Sequence, residues 1–181
     1  MRGTGKPVGL DQIDLRTATP ADDRALAVLD AEAWPPELWV VPPQPAAEPF
    51  FGPRRKPDDV LVAVSDGTIL GYARLGRHLP VPANEHVLHF EALAVSPDAR
   101  GRGVGSLLIG ALVEEARSRG ARKLGLRALS TNPRAITLYE RAGFELEGRL
   151  RDEIRLPDGT FADDLWFALW LDGTHRADPP D

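Results

Sequence analysis

The sequence predicts a single α/β (α+β) domain whose mixed, mostly antiparallel sheet is flanked by helices. Three observations predict it. Apolar runs at 60–64 and 69–75 surround Asp66-Gly67, a dipeptide suited to a tight hairpin, which makes the first strand pair antiparallel. A strand at 87–96 passes through a glycine-rich loop into an amphipathic helix, and another strand follows. The last third reads as strand, Pro157-Asp158-Gly159 turn and strand.

Taken in order, residues 13–18 form a short first strand. Thr19-Pro20 followed by Ala21-Asp22-Asp23 starts a helix, with proline in the first turn and acids at the positive end of the peptide dipole. That helix runs to about Ala33. Trp34-Pro35-Pro36 ends it, and eight prolines from Pro35 to Pro57 leave an irregular loop or short helical turns. Such segments often serve as lids or substrate walls, so Trp34, Trp39, Phe50 and Phe51 either line a pocket or plug the edge of the core. After the glycine loop, Val104, Leu107, Leu108, Ala111 and Leu112 fall on one helical face. A strand at 123–128 precedes Asn132-Pro133, a cap with proline at the first helical position, and Ala135, Leu138, Tyr139 and Ala142 share that helix's stripe. Gly143 closes it, and strands at 144–156 and 160–171 complete the sheet. The expected organisation is a flexible N-terminus over 1–12, one domain over 13–172 and a disordered tail over 173–181.

Composition narrows the function. At 181 residues with 43% hydrophobic content, the chain suffices for one domain with a full core. The absence of cysteine excludes a disulfide scaffold, a thiolate zinc site and a cysteine nucleophile, and no metal site is expected. The opening MRGTGKPVGL lacks the apolar core of a secretory signal, and no apolar stretch approaches the roughly 20 residues that span a bilayer. The expectation is a cytoplasmic protein without a membrane partner. A net charge of -5 and a pI near 5.4 argue against nucleic acid and mildly favour a cationic amine.

The run Arg100-Gly101-Arg102-Gly103-Val104-Gly105 carries the most chemistry. A helix start presents unsatisfied amide donors and a positive dipole end, so a strand, glycines and a helix together make a phosphate cradle. A dinucleotide fingerprint fails because Ser106 stands where its third glycine belongs, and a Walker loop fails because no Gly-Lys-Ser or Gly-Lys-Thr occurs. What remains is Arg-x-x-Gly-x-Gly after Leu93-Ala94-Val95. Ser96-Pro97, Arg119-Gly120-Ala121, the strand at 123–128, Asn132-Pro133 and Leu138-Tyr139-Glu140-Arg141-Ala142-Gly143-Phe144 then follow in order. Over residues 88–145 the chain resembles the GNAT superfamily of N-acetyltransferases.

The resemblance implies acetyl-CoA as co-substrate and a sheet parted near its site. The N–H groups of Gly101, Arg102, Gly103, Val104, Gly105 and Ser106 would cradle the pyrophosphate, with charge from Arg100 and Arg102. The pantetheine arm would lie along Leu93, Ala94 and Val95, and an N–H near Leu93 would meet the thioester oxygen as an oxyanion-hole donor. Tyr139 falls where the family's general acid sits; as a residue of the helix's apolar stripe it also reads as a core aromatic. Asn132 either contacts the acetyl-CoA or only caps its helix.

The base is read from alternation. Glu91 lies two residues before Leu93, which puts both on one strand face, and His89 on that face is the second candidate. Relatives that acetylate ribosomal-protein N-termini carry a glutamate five residues before the asparagine, where this chain has Arg127. Asp163 and Asp164 open the last strand and would grip an ammonium or blunt a sheet edge; the reading takes the second. The expected function is acetyl transfer to a primary amine by direct attack in a ternary complex, the acceptor being a small molecule or a peptide N-terminus. The alternative is a non-catalytic acyl-CoA-binding sensor or interaction module, against which Glu91 and Tyr139 both speak. A homodimer is compatible with the family but is not written in the sequence.

Overall fold

The computed structural model describes residues 12–34 and 44–173. Trp39 and nearly all of the expected terminal segments, 1–12 and 173–181, lie outside the described residues. The strands are β1 (Asp14–Thr17), β2 (Val60–Ser65), β3 (Thr68–Gly76), β4 (Val87–Val95), β5 (Lys123–Leu129), β6 (Glu145–Arg155) and β7 (Phe161–Trp170). The helices are α1 (Asp23–Ala33), α2 (Val104–Ser118) and α3 (Pro133–Arg141).

The sheet runs β1-β2-β3-β4-β5-β7-β6, and β4–β5 is its parallel pair. Local chemistry sets most boundaries. Asp66 and Gly67 both take positive φ, 48° and 74°, the geometry of a tight hairpin between β2 and β3. Thr19 and Asp22 form a capping box ahead of α1, and Arg16 grips the Asp22 carboxylate at 2.8 Å, which holds that acid well below its ordinary pKa. The Asn132 side chain accepts from the Ala135 N–H at 3.2 Å and starts α3.

Each sheet face has its own core. On one, Val104, Leu108, Ile109, Leu112, Val113 and Ala116 of α2 pack with Ala73, Leu75, Leu88, Phe90, Leu124, Leu126 and Phe167. The buried stripe of α2 is therefore turned slightly from the expected one, with Leu107 and Ala111 at its margin. α3 joins this core through Ile136, Leu138, Tyr139 and its C-cap Ala142, Ile136 replacing the expected Ala135. On the opposite face, Leu26, Leu29 and Ala33 of α1 pack with Val60, Val62, Tyr72 and Ala94. No residue of β5 or β7 belongs to that second cluster, so this face carries polar side chains across the middle of the sheet.

Candidate active site

β4 and β5 pair only from Val87↔Lys123 to Phe90↔Leu126, and beyond that point the strands part. Residues 92–95 of β4 keep their partners on β3, and none of residues 91–95 has a partner on β5. The Ser96 N–H donates to Leu70 O at 2.9 Å, so the antiparallel ladder turns the N–H groups of 94 and 92 toward β3 and those of 95 and 93 into the gap. The Leu93 donor expected from the sequence thus faces the opening.

The glycine loop closes one end of the gap. Gly101 and Gly103 take φ of 75° and 83°, a region costly for any residue with a Cβ, and Gly103 caps α2. Gly105 sits in the first turn of α2, where a Cβ would rest 3.5 Å from Leu138 and 3.8 Å from Leu93. Of the two arginines, Arg100 is committed elsewhere: its side chain donates to Val95 O at 3.3 Å and to Ala33 O at 2.6 Å, tying the loop to the end of α1. Arg102 is exposed and has no hydrogen bond or ion pair among the described residues. Val104 is buried and Ser106 exposed.

Tyr139 stands at the fork, its ring edge-on to Phe90 at 5.6 Å and to Phe144 at 6.2 Å. Phe90 is the last β4 residue paired with β5, so the phenol lies beside the parting point on the α2–α3 side. Its hydroxyl has no hydrogen-bond partner among the described residues, and burial pushes its pKa up to about 12. Both readings of Tyr139, core aromatic and candidate acid, are compatible with this position.

Glu91 corrects the alternation argument. The β3 pairing jumps from Arg74↔Ala92 to Leu75↔Phe90, so Glu91 is the extra residue of a β-bulge. Leu93 joins the α2 core, whereas the Glu91 carboxylate lies over Gly76 on the opposite face and pairs with Arg74 at 2.5 Å. A Cβ at position 76 would overlap that carboxylate. His89 shares the Glu91 face, as expected, and packs with His78 at 5.2 Å and Trp166 at 6.1 Å. Burial, followed by the charges of His78, Lys123 and Arg127, lowers its pKa to about 4, so it is neutral near pH 7 and a feeble proton acceptor.

Two clusters were not legible in the sequence. Asp30 of α1 is buried and accepts from the Tyr72 hydroxyl, from Trp34 Nε1 at 3.0 Å and from Arg55 at 3.4 Å; burial and the Asp30 charge raise the Tyr72 pKa. With the Phe51 N–H donating to Asp23 at 2.8 Å, these contacts fasten the proline-rich segment to α1. Phe50 is a core plug, 3% exposed and edge-on to Tyr72. Asp163 and Asp164 do not blunt an edge, because β7 lies between β5 and β6. Asp163 accepts from Arg149 and from the Asp152 N–H at 2.9 Å, a contact that heads the causes of its lowered pKa. Asp164 accepts from Arg127 and Trp166.

Among the described residues, no group of three or more His, Cys, Asp or Glu is placed to hold a metal, and no helix is long and apolar enough to cross a membrane.

Comparison with known proteins bears on this forked sheet. The sequence profile of the acetyltransferase (GNAT) family matches residues 25–144. An L-methionine sulfoximine/L-methionine sulfone acetyltransferase of Pseudomonas aeruginosa is 31% identical over 130 residues, 71% of this chain and 74% of that protein. An L-amino acid N-acyltransferase of Escherichia coli is 28% identical over 120 residues, 66% of this chain and 67% of its own. The crystal structure of a phosphinothricin acetyltransferase from Sinorhizobium meliloti in complex with AcCoA shares the fold with a TM-score of 0.75, at 22% identity over 94% of both chains. The family's pattern therefore takes in the glycine loop, the forked strands and α3 together, and this chain belongs to the GNAT acetyltransferases as an acetyl-CoA-dependent N-acetyltransferase.

Proposed function

We propose that the enzyme acetylates the primary amine of a small acceptor of amino-acid type, with donor and acceptor approaching the forked strands from opposite faces. The observation that carries this reading is the bulge at Glu91. It separates the two titratable candidates, leaving Tyr139 on the α2–α3 side of the fork and the Glu91 carboxylate on the other. An amine attacking a thioester carbonyl approaches one side of it while charge gathers on the oxygen and sulfur departs. Groups that serve the nucleophile and the leaving group are then best placed apart.

On this reading the loop from Gly101 to Ser106, with Arg102, binds the pyrophosphate of acetyl-CoA, which supplies the activated acetyl group. The fit rests on the positive φ of Gly101 and Gly103, on the helix start at Val104 and on an arginine with no other partner among the described residues. Asn132 supports the site by starting α3, on which Tyr139 stands. The Leu93 N–H donates to the oxygen that gains charge, a contribution typically worth about 2.7–4 kcal/mol per donor. Ala94 and Val95 extend the same edge. Glu91 takes the proton from the incoming ammonium, directly or through a water, and Tyr139 donates to the departing sulfur. Amino-acid-type acceptors are favoured because two relatives are named for acetylating or acylating such molecules.

The test is thiol release from acetyl-CoA with L-amino acids, amino-acid sulfones, polyamines and short peptides, followed with a disulfide reagent to which a cysteine-free protein adds no background. Turnover led by amino-acid amines is expected. Equal or better turnover with polyamines or peptide N-termini would overturn the acceptor class, and acetyl-CoA binding without transfer to any amine would overturn the reaction.

A further inference from the structure

We propose that Arg127, clamped by Asp164, reads a carboxylate on the acceptor. This rests on the transferase reading above and makes its acceptor class a property of one side chain.

Arg127 directly follows Leu126, the last β5 residue paired with β4, so it stands on the far lip of the fork. Leu124, Leu126 and Ala128 point into the α2 core, which turns Arg127 to the face that carries His89 and the Glu91 carboxylate. Its guanidinium is fixed in three ways. Nε donates to Asp164 Oδ2 at 2.8 Å, Nη2 donates to the same oxygen, and the group lies over the Trp166 ring with 4.8 Å to the centroid. Trp166 Nε1 donates to that oxygen at 3.0 Å, so one carboxylate orients both members of the stack. Asp164 is only 3% exposed, whereas the Arg127 side chain is 42% exposed.

A pair whose purpose was only to neutralise Asp164 would gain nothing from leaving nearly half of the arginine open. The Nε side of the fork is spent on Asp164, while the end formed by Nη1 and the second Nη2 proton has no partner among the described residues. That end matches a carboxylate with two parallel hydrogen bonds. Clamp and ring fix the guanidinium before any ligand arrives, so little side-chain freedom is lost on binding. Across the fork, the Glu91 carboxylate, paired with Arg74 through one oxygen, has acceptor capacity left for an ammonium. An α-amino acid carries both charges on adjacent atoms.

Matched pairs of L-amino acids and their α-carboxamides test this. The carboxylate raises the ammonium pKa of the acid, so chemistry alone favours the amide, and a preference for the acid reports binding. The wild type is expected to prefer the acid by about ten- to a hundredfold in kcat/KM, the range of a charged hydrogen-bonded contact. In the Arg127→Gln/Asp164→Asn double variant, which leaves no buried carboxylate unpaired, the ratio should fall toward one through KM for the acid. Arg127→Lys, which keeps the charge and loses the fork, should retain part of it. Equal use of acid and amide by the wild type, or an acid preference that survives in a double variant with native circular dichroism, overturns the clamp. If only amines without a carboxylate are acetylated, the clamp fails and the transferase stands; if no amine is acetylated, both fail.

Discussion

Replacing Tyr139 by Phe separates its two readings, because the structure assigns them opposite signatures. The ring contacts to Phe90 and Phe144 survive the change, and the hydroxyl that is lost makes no hydrogen bond among the described residues. Stability should therefore stay constant or rise by up to about 1 kcal/mol, since a poorly paired hydroxyl is removed from a mostly buried site. Turnover should fall. General acids contribute about 10²- to 10⁴-fold, and on the proposed reading the raised pKa of Tyr139 puts it in the lower half of that range. A phenol with a pKa of about 12 is a weaker acid than a free thiol, whose reference value is near 8.5, by roughly 3.5 units or about 5 kcal/mol. Full proton transfer to the sulfur would be uphill, so in the proposed role the hydroxyl helps chiefly by donating a hydrogen bond as the thiolate leaves. The expected loss is about 10²- to 10³-fold in kcat, roughly 3–4 kcal/mol, with KM for acetyl-CoA within a few-fold of wild type. Stopped-time thiol release gives kcat, and urea denaturation gives stability. A variant with wild-type kcat and reduced stability would remove Tyr139 from the chemistry and leave it a core aromatic.

Glu91→Gln should lower kcat by about 10²- to 10⁴-fold while acetyl-CoA affinity, measured by calorimetry, stays unchanged; undiminished turnover would point to a water or the acceptor's own free amine instead. Gly103→Ala, at φ 83°, should lose about 1–2 kcal/mol of stability in denaturant titration and weaken acetyl-CoA binding more than it slows kcat, because it deforms the loop and not the reacting centre. His89 is neutral when folded and titrates near 6.5 when unfolded, so protons bind the unfolded chain first. Its contribution is intact above pH 6.5 and is lost as pH falls toward 4, and His89→Gln should flatten the stability profile across that window.

The sequence yielded what is local. Asp66-Gly67, Asn132-Pro133 and the loop glycines each determine a turn or a helix end through a few neighbouring dihedrals, and each stands where its chemistry requires. The bulge at Glu91 was hidden, because one inserted residue changes the face of everything before it and leaves no mark in an alternating pattern. Asp163 and Asp164 were misread as edge charges for a related reason. The strand order β5-β7-β6 places the last strand inside the sheet, and no feature of β7 alone reveals that. The partners of Asp30 and Asp164 also lay out of reach: Asp30 meets Tyr72 across 42 residues, and Asp164 meets Arg127 across 37.

The bulge at Glu91 bears on mechanism. Alternation puts Glu91 beside Leu93 and leaves the other face of the fork without a base; the bulge moves the carboxylate across and leaves the Leu93 N–H in the gap. On the proposed reading, one extra residue gives the two reactants separate entrances to the same atoms. The helices α2 and α3 cover the face assigned to acetyl-CoA, while His89, Arg127 and Trp166 hold the face left outside the α1 core. Acceptor choice can then change through side chains on that second face while the glycine loop stays untouched. It follows that substitutions at Arg127 should move acceptor KM and leave acetyl-CoA KM in place, and substitutions at Gly103 should do the reverse. A mutation on either face that shifted both constants equally would argue that the two entrances are one.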